Sequence, residues 1–326
     1  MSTLYVEKTG CQISLSGKVL SLHQPNAKVR HIPADLLDRV VLRADTGLTS
    51  RVLTGLTELG VGVLMLGGRR GERMASVLGA PHKDVRSRIT QVRRLDDLEF
   101  QQAWCRSLLD AKLRTQHRLL SHALAERPAL RKPLTDAMAT LAHTRLQLPT
   151  VVEIERMRGL EGAGAAAYFG AYTRLFPASL GFDARLRRPP PDPVNACLSL
   201  GYTLLLGLAV EACHAQGLDP QLGYLHLPCH GRPSLACDLM EPWRARVDTL
   251  VWQLFRSRQL EASHFGSDGH GGCLLGKTGR ARYYQAWVSQ DHALRRALRR
   301  HVRLATSALG DLAAASMEAN LEEGLA

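Results

Sequence analysis

Aromatic side chains are scarce, 5% of the chain, although 45% of its residues are hydrophobic. Leu and Ala carry the apolar content, which fits a soluble, helix-dominated protein. No run of 18 residues is both apolar throughout and uncharged, so no transmembrane helix is expected. The first residues, MSTLYVEKTG, hold no basic segment leading into an apolar run and do not read as a secretory signal. The expected compartment is therefore the cytoplasm. The seven cysteines are odd in number, scattered, and free of any CxxC pair, which argues against a disulfide framework. His226, Cys229, His230 and Cys237 cluster in sequence, but their spacing fits no regular zinc finger or ribbon. There is no internal repeat and no low-complexity tail.

Acidic residues are in deficit too. Lys and Arg number 42 against 30 Asp and Glu, a net charge of +12. That balance suggests a polyanionic partner. The basic residues gather in 83–94, 185–188 and 295–303, and Arg outnumbers Lys there, as suits planar recognition of phosphate.

At 326 residues the chain has room for one large domain or two ordinary ones. Up to about residue 80 the pattern reads as strands over 4–6, 12–15, 19–22, 29–32, 39–42 and 61–66. Ser16-Gly17-Lys18 signals a hairpin, and Gly67-Gly68 a turn. One short helix follows Thr49 or Ser50, with Val52, Leu53, Leu56 and Leu59 on its apolar face and Gly60 at its end. Beyond residue 83 the period turns helical. Helices are expected over 95–125, from a Thr150/Glu153 capping box to Tyr168, from the Asp192-Pro193 start to Gln216, from Ser234 to about Leu260 with a kink at Pro242, and over 281–315. Residues 187–192 read as a proline loop, 265–272 as a glycine-rich mobile segment, and 321–326 as a frayed end. The fold class is α+β: a small N-terminal β-rich domain, residues 1–82, followed by a larger all-α domain, residues 83–326.

Four polar residues stand out against their surroundings. Glu161 sits in a run of small residues (Gly159, Gly162, Ala163, Ala165) that lets a helix or ligand come close. A charged group there must be solvated, ion-paired or bound to a cation. His226 closes the loop that begins at Gly217, where a hydrogen-bonded structural role is equally open. Asp238 and Glu241, three apart, would share a helix face and repel each other unless Arg244 or a divalent cation offsets them. Two or three carboxylates with one imidazole suit Mg²⁺ or Mn²⁺, and a hard cation beside a basic surface points toward phosphodiester chemistry.

Taken together, these segments resemble the CRISPR spacer-acquisition integrase, historically the CRISPR-associated endonuclease. The matching pieces are Glu161-Gly162 with Ala165, Ala166, Tyr168 and Phe169; Asp192-Pro-Val-Asn195 with Leu198, Ser199 and Tyr202; Gly217-Leu-Asp-Pro220 with Gly223-Tyr-Leu-His226; and Arg232 with Ser234-Leu235, Asp238-Leu-Met-Glu-Pro242 and Arg244. Ile32-Pro33, Val40-Val41-Leu42 and residues 48–66 match the family's β domain, so nearly the whole chain is covered. The resemblance implies a cytoplasmic homodimer, dimerising through its β domain. It also implies a small ferredoxin-like companion subunit that bridges two dimers, and double-stranded DNA as substrate. The reaction implied is transesterification, in which the 3′-hydroxyl of a captured fragment attacks the repeat boundary of the array. Carried over position by position, Glu161, His226 and Glu241 are the metal ligands and Asp238 supports them. Arg244 and Asn195 would position phosphate or the site. From the charge pattern, Arg295 and Arg299 would meet DNA.

Three positions depart from the family pattern: Leu206 where some members have tyrosine, Ala44 where glycine is common, and the additional Cys229-His230. Two other readings use the same residues, a metal-dependent repair nuclease acting on branched DNA and a non-catalytic DNA-binding scaffold.

Overall fold

The computed structural model describes residues 2–43, 45–67, 73–78 and 85–310. The N-terminal part consists of β1 (Ser2–Val6), β2 (Cys11–Ser16), β3 (Val19–His23), β4 (Arg30–Pro33), β5 (Leu37–Leu42), β6 (Thr46–Leu48), α1 (Ser50–Glu58), β7 (Gly62–Gly67) and β8 (Arg73–Val77). The strands form two four-stranded sheets, ordered β1-β5-β7-β8 and β4-β3-β2-β6. β1, β5 and β7 run parallel and β8 antiparallel. In the other sheet β2, β3 and β4 form an antiparallel meander, and β6 adds parallel to β2. β6 and β8 lack the alternation that betrays a strand and were not expected. Ala44, the turn at Gly68 and the expected 82/83 boundary lie outside the described residues.

Alternation along β5 and β7 explains how the two parts of the chain join. Val40, Leu42 and Val63 point into the core shared with β2, β3 and α1, where Ile13, Leu20, Leu22, Val52 and Leu56 are buried. Val41, Leu64 and Leu66 point the other way, into the helical core. Successive side chains of a strand face opposite sides, so a strand buried on both faces reads as an unbroken apolar run, as Val40-Val41-Leu42 does. The sheet is thus a wall common to both cores.

The helical part comprises α2 (Arg86–Arg93), α3 (Leu98–Glu126), α4 (Arg131–Gln147), α5 (Ile154–Tyr172), α6 (Pro193–Ala215), α7 (Ser234–Met240), α8 (Arg244–Arg256) and α9 (Lys277–Gly310). β9 (Phe265–Ser267) and β10 (Cys273–Leu275) form a small hairpin before α9. The glycine-rich segment 265–272 supplies the first strand and the turn of this hairpin. Asp268 closes its turn by accepting from the amides of His270 and Gly272.

α6 is the central helix. By length and composition it could span a membrane, but 72% of that apolar window is buried inside the protein. Asp192 caps it as expected, accepting from the Asn195 amide. Two glycines let other elements come close. A Cβ at Gly201 would lie 2.4 Å from Val247 Cγ1 of α8 and 2.5 Å from Tyr283 Oη of α9, and one at Gly207 would lie 3.2 Å from Leu64 Cδ2 of β7.

Two expected caps do not form. Glu153 is the N-cap of α5 without a side-chain bond, and Thr150 Oγ1 donates instead to the Gln147 carbonyl. Pro233, not Ser234, precedes α7, and Ser234 donates to the Leu227 carbonyl. Pro242 does more than kink the expected long helix. A 3-10 turn, Glu241–Trp243, separates α7 from α8.

A buried ion network ties sheet to helices. Glu211 of α6 accepts from Arg39 of β5 at 3.0 and 3.2 Å and from Arg299 of α9 at 2.7 Å, and Arg295 of α9 lies 3.5 Å away. Arg295 is 3% exposed and also faces Asp291, Asp38 and Thr3. The expectation that Arg295 meets DNA is therefore corrected, because its guanidinium is spent inside the protein. Its place on α9 explains why: Asp291, Arg295, Leu298 and Val302 share the buried stripe of the helix. Removing one partner of a buried pair leaves an uncompensated charge. Glu211→Gln is expected to cost about 3–5 kcal/mol of stability, read by urea denaturation. A loss within experimental error would show that the network is not what holds the sheet to α6 and α9.

Candidate metal centre

Four elements meet at the site. α3 supplies Lys112, α5 supplies Glu161 and Arg158, the loop after α6 supplies His226, and the α7–α8 junction supplies Asp238, Glu241 and Arg244. α5 can approach α3 because Gly164 faces it; a Cβ there would lie 2.8 Å from Leu113 Cδ2. One turn earlier on α5, Glu161 reaches Lys112.

The loop that carries His226 is held by buried polar groups. Asp238 is 0% exposed. One of its oxygens accepts from the backbone amides of Tyr224 and Leu225 at 2.8 and 3.0 Å. The other accepts from the His226 amide at 2.9 Å and lies 2.6 Å from His226 Nδ1. A neutral imidazole placed this way keeps its proton on Nδ1 and presents Nε2 as an acceptor, the arrangement that orients a metal-ligating histidine. Gly223 is required by close approach, since a Cβ would come within 2.6 Å of the Ser234 backbone. Arg158 donates to the Leu225 carbonyl. Gln91 of α2 binds the backbone of Asp219 and Leu222.

Glu241 sits in the 3-10 turn that Pro242 creates and is 3% exposed. Its Oε1 accepts from Arg244 Nε at 2.8 Å. Its Oε2 is buried and forms a 2.7 Å ion pair with Lys112 Nζ. Lys112 Nζ also donates to Glu161 Oε1 at 2.5 Å. Burial pushes the Glu241 carboxyl up, but Arg244, Lys112 and His226 outweigh it and hold it down at about 2. Burial works against the Lys112 ammonium as well, and Glu241 and Glu161 more than offset it, raising its pKa.

Glu161 and Glu241 thus meet at Lys112, and His226 lies near enough to Glu241 to act on its carboxyl. Among the described residues no three His, Cys, Asp or Glu side chains close into a metal cage. That covers the cysteines of the 226–237 segment. The donor set of two carboxylates and an imidazole nevertheless fits a hard divalent cation, and the ammonium held between Glu161 and Glu241 shows that these carboxylates accept a shared cation. Asp238 and Glu241 do not share one helix face. They belong to α7 and to the turn after it, and they point to different partners.

Asn195 is fully buried and structural. It accepts from Arg185 and from the Leu186 amide and donates to Asp192 and to the Ala184 carbonyl, so it pins residues 184–186 and does not meet DNA. Arg244 lies over the Tyr202 ring, 4.7 Å from its centroid. Tyr202 and Tyr168 both donate to Asp248, at 2.6 and 2.7 Å. The sequence reading missed Lys112, Arg158, Asp248 and Tyr202's role. Lys112 had a signal, a cation on the buried stripe of α3 with Leu108, Leu109, Ala111 and Leu113 around it.

Two outcomes follow from these bonds. Asp238→Asn puts an amide nitrogen among backbone donors, and is expected to lose about 2–4 kcal/mol in urea denaturation. Retained stability would mean that the carboxylate does not hold the loop. Burial raises the Asp248 carboxyl to about 6, against the hydrogen bonds of Tyr202 and Tyr168 and the charges of Arg244 and Arg185. Between about pH 4 and 6 the folded chain keeps that proton and the unfolded chain does not. Stability contributed by this group is therefore full below about pH 4 and falls as pH rises, by up to about 3 kcal/mol. Asp248→Asn should remove this slope. A wild-type-minus-variant difference that stays constant across the window would refute it.

Comparison with known proteins agrees with this architecture. The family model described as CRISPR associated protein Cas1 matches residues 4–289. A CRISPR-associated endonuclease Cas1 of Thermodesulfovibrio yellowstonii is 34% identical over 301 residues, 90% of this chain and 93% of that protein. One from Rhodospirillum rubrum is 32% identical over 306 residues, 91% of this chain and 88% of its own length. Among solved structures, a casposase bound to its integration product superposes with a TM-score of 0.84 at 21% identity, covering 95% of this chain and 90% of that one. A Cas1 protein from Thermotoga maritima gives 0.82 at 18%, covering 95% and 97%. A Cas6-RT-Cas1–Cas2 complex gives 0.81 at 22%, covering 97% of this chain and 36% of that one. At these identities the structures speak for the fold, while the family model and the sequence relatives speak for descent. The chain belongs to the Cas1 family of CRISPR-associated proteins.

Proposed function

We propose that the chain is a metal-dependent DNA integrase and endonuclease of CRISPR adaptation, with Glu161, His226 and Glu241 as the ligands of Mg²⁺ or Mn²⁺. The observation that carries this reading is that Glu161 and Glu241 share one buried ammonium, while His226, oriented by Asp238, lies near enough to act on the Glu241 carboxyl. The names of the relatives support a nuclease, and the casposase with its integration product supports strand joining on this fold.

In the proposed reaction the 3′-hydroxyl oxygen of a captured fragment attacks phosphorus at the repeat boundary. The bond from phosphorus to the leaving 3′-oxygen breaks, and the attacking hydroxyl's proton ends on that leaving oxygen. A divalent cation bound at the site supplies Lewis-acid stabilisation of the phosphoryl charge. The chain's own groups do the rest. Asp238 fixes the ring plane of His226, so Nε2 needs no reorganisation. Arg244 holds Glu241 ionised and stacks on Tyr202, which keeps the carboxylate in one rotamer. DNA phosphates are placed on exposed Arg187 and Arg188, which line a cavity of about 180 Å³ with Arg43, Arg280, Ser199 and Thr203. Arg299, 44% exposed, remains a phosphate contact in this reading although Glu211 holds one of its nitrogens.

The partners proposed are duplex DNA, a second copy of the chain joined through the β part (residues 1–82), and a small ferredoxin-like subunit that bridges two dimers. The Cas1–Cas2 assembly of like fold supports a companion of that kind.

Strand transfer tests the reading. Protein with its companion is mixed with a short duplex bearing free 3′-hydroxyls and a supercoiled array plasmid, in Mg²⁺ or Mn²⁺. Joined products should form, vanish with chelator, and fall at least about a hundred-fold in His226→Ala. Cutting of branched DNA without joining would replace integration by a repair-type nuclease. Activity that persists without metal would remove the metal site from this reading, and absent activity would leave a non-catalytic DNA-binding scaffold.

A further inference from the structure

Lys112 is a charged group of the site that the proposed reaction does not use. Lys112 lies in the middle of α3, among Leu108, Leu109 and Leu113, and its side chain is 8% exposed. An ammonium is buried that deeply only when it is paired. Its two partners are Glu161 Oε1 at 2.5 Å and Glu241 Oε2 at 2.7 Å, one oxygen from each proposed ligand carboxylate. Arg244 takes the remaining oxygen of Glu241 at 2.8 Å. Two carboxylates thus face two cations, and the pair is neutral before any divalent ion arrives.

A divalent ion held by Glu161 and Glu241 would compete for the carboxylate charge that Nζ now neutralises. A +2 and a +1 charge a few ångströms apart in a poorly solvated site repel strongly. Lysine suits such a role better than arginine. Its charge is a compact point on a flexible stem that can swing away, whereas a guanidinium fork would lock both carboxylates.

We propose that Lys112 is a built-in counter-ion that competes with the divalent cation for Glu161 and Glu241. In this arrangement the metal-free fold is stable, and loading requires the ammonium to leave. Metal affinity is reduced by the fraction of time the ammonium is in place. A DNA phosphate at the site offers the ammonium another anion, so DNA promotes loading and the nuclease stays unloaded without its substrate. The inference rests on the metal-ligand reading of Glu161, His226 and Glu241.

The test is Mn²⁺ binding to the full chain, by calorimetry and by the electron paramagnetic resonance signal of free Mn²⁺, together with thermal unfolding. Lys112→Met should bind Mn²⁺ at least about ten-fold more tightly than wild type without DNA. Its metal-free form should melt lower, because the carboxylates then repel, and Mn²⁺ should raise its Tm more than it raises that of wild type. Short duplex DNA should tighten Mn²⁺ binding in wild type and do so less in the variant. Lys112→Gln, neutral but able to hydrogen-bond, is measured beside it with the same expected direction, should the Met variant not fold. Lys112→Arg keeps the charge and should bind Mn²⁺ no more tightly than wild type. If His226→Ala abolishes Mn²⁺ binding while the neutral Lys112 variants bind no more tightly than wild type, the counter-ion role falls and the metal site stands. If neither wild type nor variant binds Mn²⁺ with DNA present, both fall.

Discussion

The cost of burying charge organises this protein. Asp238, Glu241 and Glu211 are carboxylates drawn into the fold; Asp238 is held by the loop just before α7, and Glu241 and Glu211 by donors from elements far away in sequence. Such groups survive burial only when nearly every lone pair is met. That demand locks the loop before α7 against its backbone amides, brings α3 against α5, and binds β5 to α6 and α9. The same bonds therefore set both the fold and the site. Glu241 shares its buried Lys112 partner with Glu161.

The shared sheet matters for the same reason. β5 and β7 give one face to each core, so the helical part is not a free unit swinging on a linker. Val41 and Leu64 reach the helices from a wall whose other face is already packed. α6 lies against that wall through Gly207 and carries both Asn195, which pins the loop ahead of it, and Glu211. The position of the site relative to the β part is fixed by packing at β5 and β7.

Much of the outline was legible in the chain. Strand alternation in β2 and β3, the Asp192-Pro193 start of α6, and the change from period two to helical spacing before α2 are local signals, and local signals survive folding. β6, β8 and α2 were not read, because short elements hold too few buried positions for a period to show; α4 was not read either, although Leu134, Ala137, Leu141 and Thr144 fall at helical spacing. Arg295 was misread through counting charge by proximity in sequence; placing it on the helix wheel with Asp291 and Val302 would have turned it inward. Thr150 and Ser234 carried the composition of caps, but each hydroxyl found a nearer carbonyl.

The identity and order of Glu161, His226, Asp238 and Glu241 were written in the sequence, since residue type decides what chemistry is available and the motif pieces around them are contiguous. Their arrangement was not. That Asp238 turns away from Glu241 to serve His226, that Pro242 breaks the helix so that Glu241 points at α3, and that a lysine 49 residues before Glu161 stands between the carboxylates are decided by contacts between distant segments. Pairing buried charges is a property of three-dimensional proximity, and only the folded chain specifies which partner each charge finds.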